Sequence, residues 1–161
     1  MNILKEYAYK PFYGLGSPSA TRKHNLIRSD LEYGLITISK SKIFAGRRVS
    51  ITSGGPFDDN NLIDTKQPDI LVCLKRKKIA DDIPVLLIEI TTDSMQPAVL
   101  KTTKDIFIGS KGVLQEAFVF NYESYEWFKI STSNTNYISD SYSKIFDVEL
   151  DTLIKKIKYR E

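Results

Sequence analysis

The sequence predicts a single α/β domain over residues 1–161, with a mixed central sheet of about four to five strands flanked by helices. The chain has 161 residues, of which 42% are hydrophobic, so one compact domain can bury a substantial core. Three short apolar runs, at 68–74, 84–90 and 117–120, are typical of buried strands. Segments with helical hydrophobic spacing precede the first run and separate the second from the third, which indicates an α/β arrangement.

The first elements are an irregular arm, a helix and a short strand. Residues 1–18 are rich in aromatic residues, proline and glycine, and indicate an irregular N-terminal arm. Ser19 could cap a helix, although Gly34 leaves the end of that helix open. A strand is expected around Arg48–Thr52, before a turn-rich loop at 53–61. The apolar face of the helix would consist of Leu26, Ile27, Leu31 and Leu35.

The middle of the chain predicts two strands joined by a polar connection, and then a helix. The strand at 84–90 is apolar on both faces and should therefore be central in the sheet. The helix is expected over Ser94–Ile108, with Ser94 as its cap, Pro97 in its first turn and Gly109 at its end.

The last third of the chain predicts a hairpin followed by a loop and a short helix. Strands are expected at 117–120 and 125–130, joined by a turn at 121–124. Residues 131–143 are rich in Ser, Thr and Asn and indicate a loop, and Asp151 would open a short basic helix.

Composition excludes several classes of site. The chain has one cysteine, Cys73, and one histidine, His24, so zinc clusters and a disulfide within the chain are excluded. Cys73 lies in an apolar run and is expected to be a buried structural thiol. Residues 1–6 contain no apolar run typical of a signal peptide, and the longest apolar run is too short to span a bilayer, so a cytoplasmic protein without membrane contact is expected.

Two acids stand out within the apolar strands. If the strands at 68–74 and 84–90 form an antiparallel hairpin with a turn near Ile79, Asp69 lies opposite Glu89. Cross-strand Cβ atoms lie about 4.5–5.5 Å apart, so the two carboxylates would converge and repel each other. A divalent cation such as Mg²⁺, which prefers carboxylate, water and phosphate oxygens, would relieve this repulsion. The alternative is structural: Asp69 ends a strand at the surface, and Glu89 pairs with a basic neighbour.

The same stretch resembles a known nuclease family. Pro68-Asp69, an apolar strand, Leu87-Ile88-Glu89-Ile90-Thr91 and a following helix resemble the PD-(D/E)xK, or restriction-endonuclease-like, superfamily, and Gly112-Val113-Leu114-Gln115-Glu116 fits the family pattern after that helix. With Phe57-Asp58-Asp59, the motifs are most similar to the small cleavage subunits of heterodimeric type IIS restriction enzymes. The resemblance implies a Mg²⁺-dependent DNA endonuclease, with Mn²⁺ able to substitute. It also implies that Asp69, Glu89 and the Ile90 backbone carbonyl bind the metal.

One position departs from the family pattern. The family lysine, two residues after the glutamate, is Thr91 here. The resemblance allows Lys101 or Lys104, on the following helix, to replace it, with Thr91 orienting the attacking water. Glu32, on the first helix, is a candidate third acid, although a surface role is the simpler interpretation.

The expected partners are double-stranded DNA and either a larger DNA-recognition subunit or a second copy of the chain. Net charge is only +3, but basic residues cluster, as at Arg47–Arg48 and Lys75–Lys78, and such clusters can contact phosphates. Two rival hypotheses remain. The chain could be a catalytically inactive nuclease-like subunit that binds DNA or supports assembly, or a binding module that uses its aromatic arm and no nucleic acid.

Overall fold

The computed structural model describes residues 22–41, 43–44, 46–53, 68–78 and 82–155. The expected N-terminal arm and most of the loop expected at 53–61 lie outside these residues. Within these ranges the helices are α1 (Arg22–Ser39), α2 (Gln96–Gly109) and a 3₁₀ helix (Leu150–Leu153). The strands are β1 (Ile43–Phe44), β2 (Arg47–Ser53), β3 (Ile70–Leu74), β4 (Ile83–Thr91), β5 (Glu116–Asn121), β6 (Glu126–Ser131), β7 (Asn134–Ile138), β8 (Tyr142–Ser143) and β9 (Val148–Glu149).

The main sheet is mixed, which confirms the predicted α/β class. Strands β2 to β7 are neighbours in chain order, and the two-residue strand β1 extends the sheet beyond β2. Only β4 and β5 are parallel among the described strands, because α2 carries the chain back across the sheet between them. The expected number of four to five strands was too low, since β7 lacks the apolar signal on which the prediction depended and β1 is only two residues long.

The helices cover opposite faces of the sheet. Helix α1 buries Ile27, Leu31 and Leu35, spaced four residues apart, in the same core cluster as Ile88. Leu87, the neighbour of Ile88 in β4, belongs instead to the core cluster of α2. Successive strand side chains point to opposite faces, so β4 is buried from both sides, as predicted.

A bulge reconciles proline with the central position of β4. Val72 pairs with Leu86 but Cys73 pairs with Pro84, so Val85 is an extra residue on β4. Proline has no N–H to donate to a ladder, and it is tolerated in sheets at such irregularities. The bulge also explains why the adjacent residues Val85 and Leu86 belong to the same core cluster.

Three predictions about elements were wrong. The N-cap of α2 is Met95, with no side-chain capping bond, because the Ser94 hydroxyl lies 3.3 Å from the Thr92 hydroxyl. Residues 131–143 are not a loop: they contain β7 and β8, and β7 is a largely exposed edge strand on which polar side chains face solvent. Asp151 does not open a helix, since it lies inside a single 3₁₀ turn that begins at Leu150.

Within the described ranges, none of the helices combines the length and the apolar character needed to cross a membrane.

Candidate metal centre

The β3–β4 hairpin brings Asp69 and Glu89 into contact. Ile70 pairs with Ile88 and Val72 with Leu86, so both pairs are centred on residue 79, as the sequence predicted. Asp69 and Glu89 are one residue further along each strand, and the Asp69 backbone N–H donates to Glu89 Oε1 at 3.2 Å. The two acids are 1% and 4% exposed. Two carboxylates therefore share one buried strand end.

The Asp69 carboxylate also extends the ladder of the hairpin. Strand β3 begins at Ile70, and Asp69 Oδ2 accepts the Ile90 N–H at 2.8 Å. A side-chain oxygen thus takes the position that a backbone carbonyl would have in a longer strand. A buried backbone N–H without an acceptor is costly, so this bond supports the hairpin as well as orienting the carboxylate.

Helix α1 adds a histidine to the site. His24 Nε2 lies 3.2 Å from Asp69 Oδ1, and the His24 side chain is 12% exposed. Its ring meets the Tyr122 ring edge-on, with centroids 6.4 Å apart. The sequence did not predict this contact of His24, because the packing of α1 on the sheet brings it to Asp69 and no local pattern signals it.

The parallel pair of strands places Thr91 beside Asn121. These residues are partners in the β4–β5 register, and both are buried. Asn121 Nδ2 donates to Asp93 Oδ1 at 2.7 Å and to Gln96 Oε1 at 2.6 Å. Asn121 therefore ties the end of β5 to the connection between Glu89 and α2.

The side-chain oxygen of Asn121 also forms hydrogen bonds. We call the set of bonds made by the Asn121 amide the Asn121 clamp. Asn121 Oδ1 accepts the backbone N–H groups of Glu123 and Ser124, and Glu123 Oε1 accepts the Asp93 N–H at 2.8 Å. The sequence assigned residues 121–124 to a turn, and nothing in it distinguished a turn-forming Asn from one that clamps a neighbouring strand.

The candidate lysines and the candidate third acid make their contacts elsewhere. Lys101 Nζ pairs with Asp105 Oδ2 at 3.1 Å on the exposed face of α2, and Lys104 Nζ donates to Asn136 on β7 at 3.4 Å. Glu32 is eight residues after His24 on α1, which is about 12 Å along the helix axis. These contacts match the solvated helix face that was the alternative interpretation for both lysines.

Tyr137 lies on the α2 side of the site. Its hydroxyl donates to the Leu100 carbonyl at 2.7 Å. Burial raises the pKa of Tyr137, and the negative charges of Asp105 and Glu89 raise it further. This phenol therefore stays protonated, and it adds no negative charge beside Glu89 at neutral pH.

The donor set fits a hard divalent cation. The Ile90 carbonyl is a third candidate oxygen ligand beside the two carboxylates. The Ile90 N–H points to the end of β3, and the C=O of a strand residue points to the same side as its N–H. Among the described residues, no three His, Cys, Asp or Glu side chains form a group that could hold a metal ion. Mg²⁺ does not require such a group, since it is commonly bound by one or two carboxylates together with water and substrate phosphate.

The chain matches no protein-family model, and no curated protein shows significant sequence similarity to it.

Proposed function

We propose that this protein is a Mg²⁺-dependent endonuclease of the PD-(D/E)xK kind, which hydrolyses phosphodiester bonds in double-stranded DNA. The observation that carries the proposal is that two buried acids, Asp69 and Glu89, meet at one end of a hairpin, where the Asp69 N–H donates to Glu89 Oε1. Adjacent buried carboxylates repel each other and are costly to ionise, and a cation between them removes both costs. The mixed sheet with flanking helices is consistent with the restriction-endonuclease-like fold.

Each acid also has a local structural contact. Asp69 accepts the Ile90 N–H and contacts His24, and Glu89 accepts the Asp69 N–H. The fold therefore uses each acid by itself, but it does not require two acids at one buried strand end, in a strand whose other side chains are nearly all apolar. The pair, more than either acid alone, indicates a metal site.

The roles of the residues follow from their positions. Asp69, Glu89 and the Ile90 carbonyl would hold the metal, which when bound supplies Lewis-acid activation of phosphodiester hydrolysis. The Thr91 hydroxyl, two residues after Glu89, can orient a water by hydrogen bonding but provides no positive charge. The apolar surroundings exclude bulk water and so strengthen electrostatic interactions at the site.

The direct test is cleavage of supercoiled plasmid DNA by the purified protein with Mg²⁺ or Mn²⁺. Asp69→Asn and Glu89→Gln keep shape but remove charge, and each should reduce the cleavage rate by at least about a hundredfold, since metal ligands contribute several kcal/mol to such reactions. One active site cuts one strand, so the expected product of the isolated chain is nicked circular DNA.

Matched controls separate chemistry from charge. Asp105→Asn and Glu126→Gln remove the same charges at exposed positions and should leave the rate unchanged. A wild-type cleavage rate in both Asp69→Asn and Glu89→Gln would contradict the proposal. Rapid site-specific double-strand cleavage by the isolated chain would indicate a self-sufficient dimer, without a larger recognition subunit.

The same assay shows whether Lys101 or Lys104 takes the role of the family lysine that Thr91 replaces. Lys101 and Lys104 make their contacts with Asp105 and Asn136, so Lys101→Ala and Lys104→Ala are expected to change the rate less than the site variants do. A loss of orders of magnitude in one of them would identify a lysine that moves into the site when DNA binds.

The same observations favour a second candidate, an inactive nuclease-like subunit that binds DNA or supports assembly. Thr91 supplies no cation, and both helix lysines are engaged elsewhere. This candidate predicts DNA binding without cleavage under any divalent metal.

A further inference from the structure

The fold joins two basic clusters that are separated by 26 residues of the chain, from Val49 to Leu74. Val49 pairs with Leu74 in the β2–β3 ladder, and the Lys75 N–H donates to the Arg48 carbonyl at 2.9 Å, so the ladder continues by one step. Arg48 and Lys75 are therefore cross-strand neighbours. We call the combined surface the basic patch, and it consists of Arg47, Arg48, Lys75, Arg76, Lys77 and Lys78.

The basic patch is electrostatically unfavourable by itself. All six side chains are exposed, and like charges directly opposite each other destabilise a strand pair. Within the part of the chain that the structure describes, none of the six cations forms a salt bridge. Asp82 is the described acid in contact with the patch, and its Oδ1 accepts the backbone N–H of Arg76. An anionic partner would offset this repulsion.

The basic patch lies at the opposite end of β3 from the candidate metal centre. Lys75 lies six positions after Asp69, which is about 20 Å along an extended strand. Double-stranded DNA rises about 3.4 Å per base pair, so this distance corresponds to about six base pairs. A duplex following the hairpin could contact both ends at once.

We propose that the basic patch binds the phosphate backbone of duplex DNA about six base pairs from the cleavage position. This inference rests on the proposed function and extends it. Lys and Arg side chains of this kind contact the backbone phosphates of a duplex through their charge, without any need for unpaired bases. Phosphate contacts fix position and orientation but do not read sequence, so sequence recognition would come from elsewhere.

The test measures equilibrium binding of a fluorescein-labelled DNA duplex by anisotropy, across a series of salt concentrations and in EDTA. The patch variant carries Lys75→Ala, Lys77→Ala and Lys78→Ala. The control variant carries Lys111→Ala, Lys144→Ala and Lys155→Ala, which remove the same charge from three other exposed positions. Each phosphate contact contributes about 0.9 to the slope of log affinity against log salt concentration. The patch variant should therefore bind more weakly, with a slope shallower by about two to three.

The controls give each outcome a meaning. A wild-type slope in the patch variant would overturn the inference, as would an equal change in the control variant, because binding would then follow net charge alone. A folded patch variant, verified by circular dichroism, excludes unfolding as the cause of a loss. The inference would also be overturned if the patch variant lost more affinity for a single-stranded probe of the same length than for the duplex, since the partner would then not be a duplex.

The binding assay in EDTA is independent of the metal centre. If the proposed nuclease activity fails while patch-dependent binding persists, the basic patch still binds DNA and the inactive-subunit candidate is favoured. If cleavage requires Asp69 and Glu89 but the patch variant binds DNA as tightly as wild type, only the present inference fails.

Discussion

The Asp69 carboxylate has two tasks in this account. Its Oδ2 accepts the Ile90 N–H and holds the end of the hairpin, while Oδ1 contacts His24. Each carboxylate oxygen has two lone pairs, so these bonds are compatible with a metal ligand role. Asp69→Asn keeps an oxygen acceptor for Ile90 and removes the charge, which is why it tests the metal site better than Asp69→Ala.

Cys73 supplies a test that is independent of function. Burial raises the pKa of the Cys73 thiol from 9.0 to about 12, and the nearby Asp82 charge contributes in the same direction. The folded protein then binds the thiol proton more tightly than the unfolded chain does. This contribution to stability is complete below pH 9 and is lost as pH rises toward 12.

The measurement compares wild type with Cys73→Ala. The free energy of unfolding should decline more steeply above pH 9 in wild type, and the native thiol should react slowly with iodoacetamide at pH 8. Parallel pH curves together with rapid alkylation would show that Cys73 is accessible and ionises normally.

At the scale of elements, the connection from β4 to α2 depends on Asn121. Its amide makes four hydrogen bonds, to Asp93, Gln96, Glu123 and Ser124, while fully buried. Asn121→Ala removes all four of these partly buried bonds, so it should lower the free energy of unfolding by about 2–3 kcal/mol. Urea denaturation provides the measurement.

The control is Asn136→Ala, at an exposed position on β7, which should change the free energy of unfolding by less than about 0.5 kcal/mol. Equal effects of the two substitutions would contradict the clamp.

Local patterns predicted the elements that bury apolar residues and missed those that do not. The continuous apolar run of β4 and the apolar face of α1 were sufficient to identify both elements. Strand β7 is polar, and its pairing with β6, together with the bond from Tyr137 to Leu100, determines its conformation. Tertiary pairing of this kind leaves no periodic signal in the sequence.

The same division applies to the candidate site. Asp69 and Glu89 could be paired from the sequence because a hairpin has a simple register, and the bulge at Val85 lies on the turn side of them. His24 could not be added, because it depends on how α1 packs against the sheet. Asn121 could not be added either, because it depends on a parallel crossover through α2.

At the scale of the whole molecule, charge is arranged along the sheet. Asp69 and Glu89 lie at one end of the β3–β4 hairpin and the basic patch lies at the other. A net charge of +3 conceals this separation. Under the two proposals, one end would anchor DNA and the other would act on it, and the isolated chain is expected to bind DNA weakly and with strong salt dependence.

The most direct test of the central claim is a crystal structure of the protein soaked with Mn²⁺, with the ion located from its anomalous scattering. The account predicts one ion between Asp69 and Glu89, with a carboxylate oxygen of each residue and the Ile90 carbonyl at about 2.0–2.6 Å. The Asp69→Asn protein should lose that ion. A wild-type crystal with Mn²⁺ bound only elsewhere, or with no ion and the Asp69 contacts to Ile90 and His24 unchanged, would contradict the assignment of a metal centre.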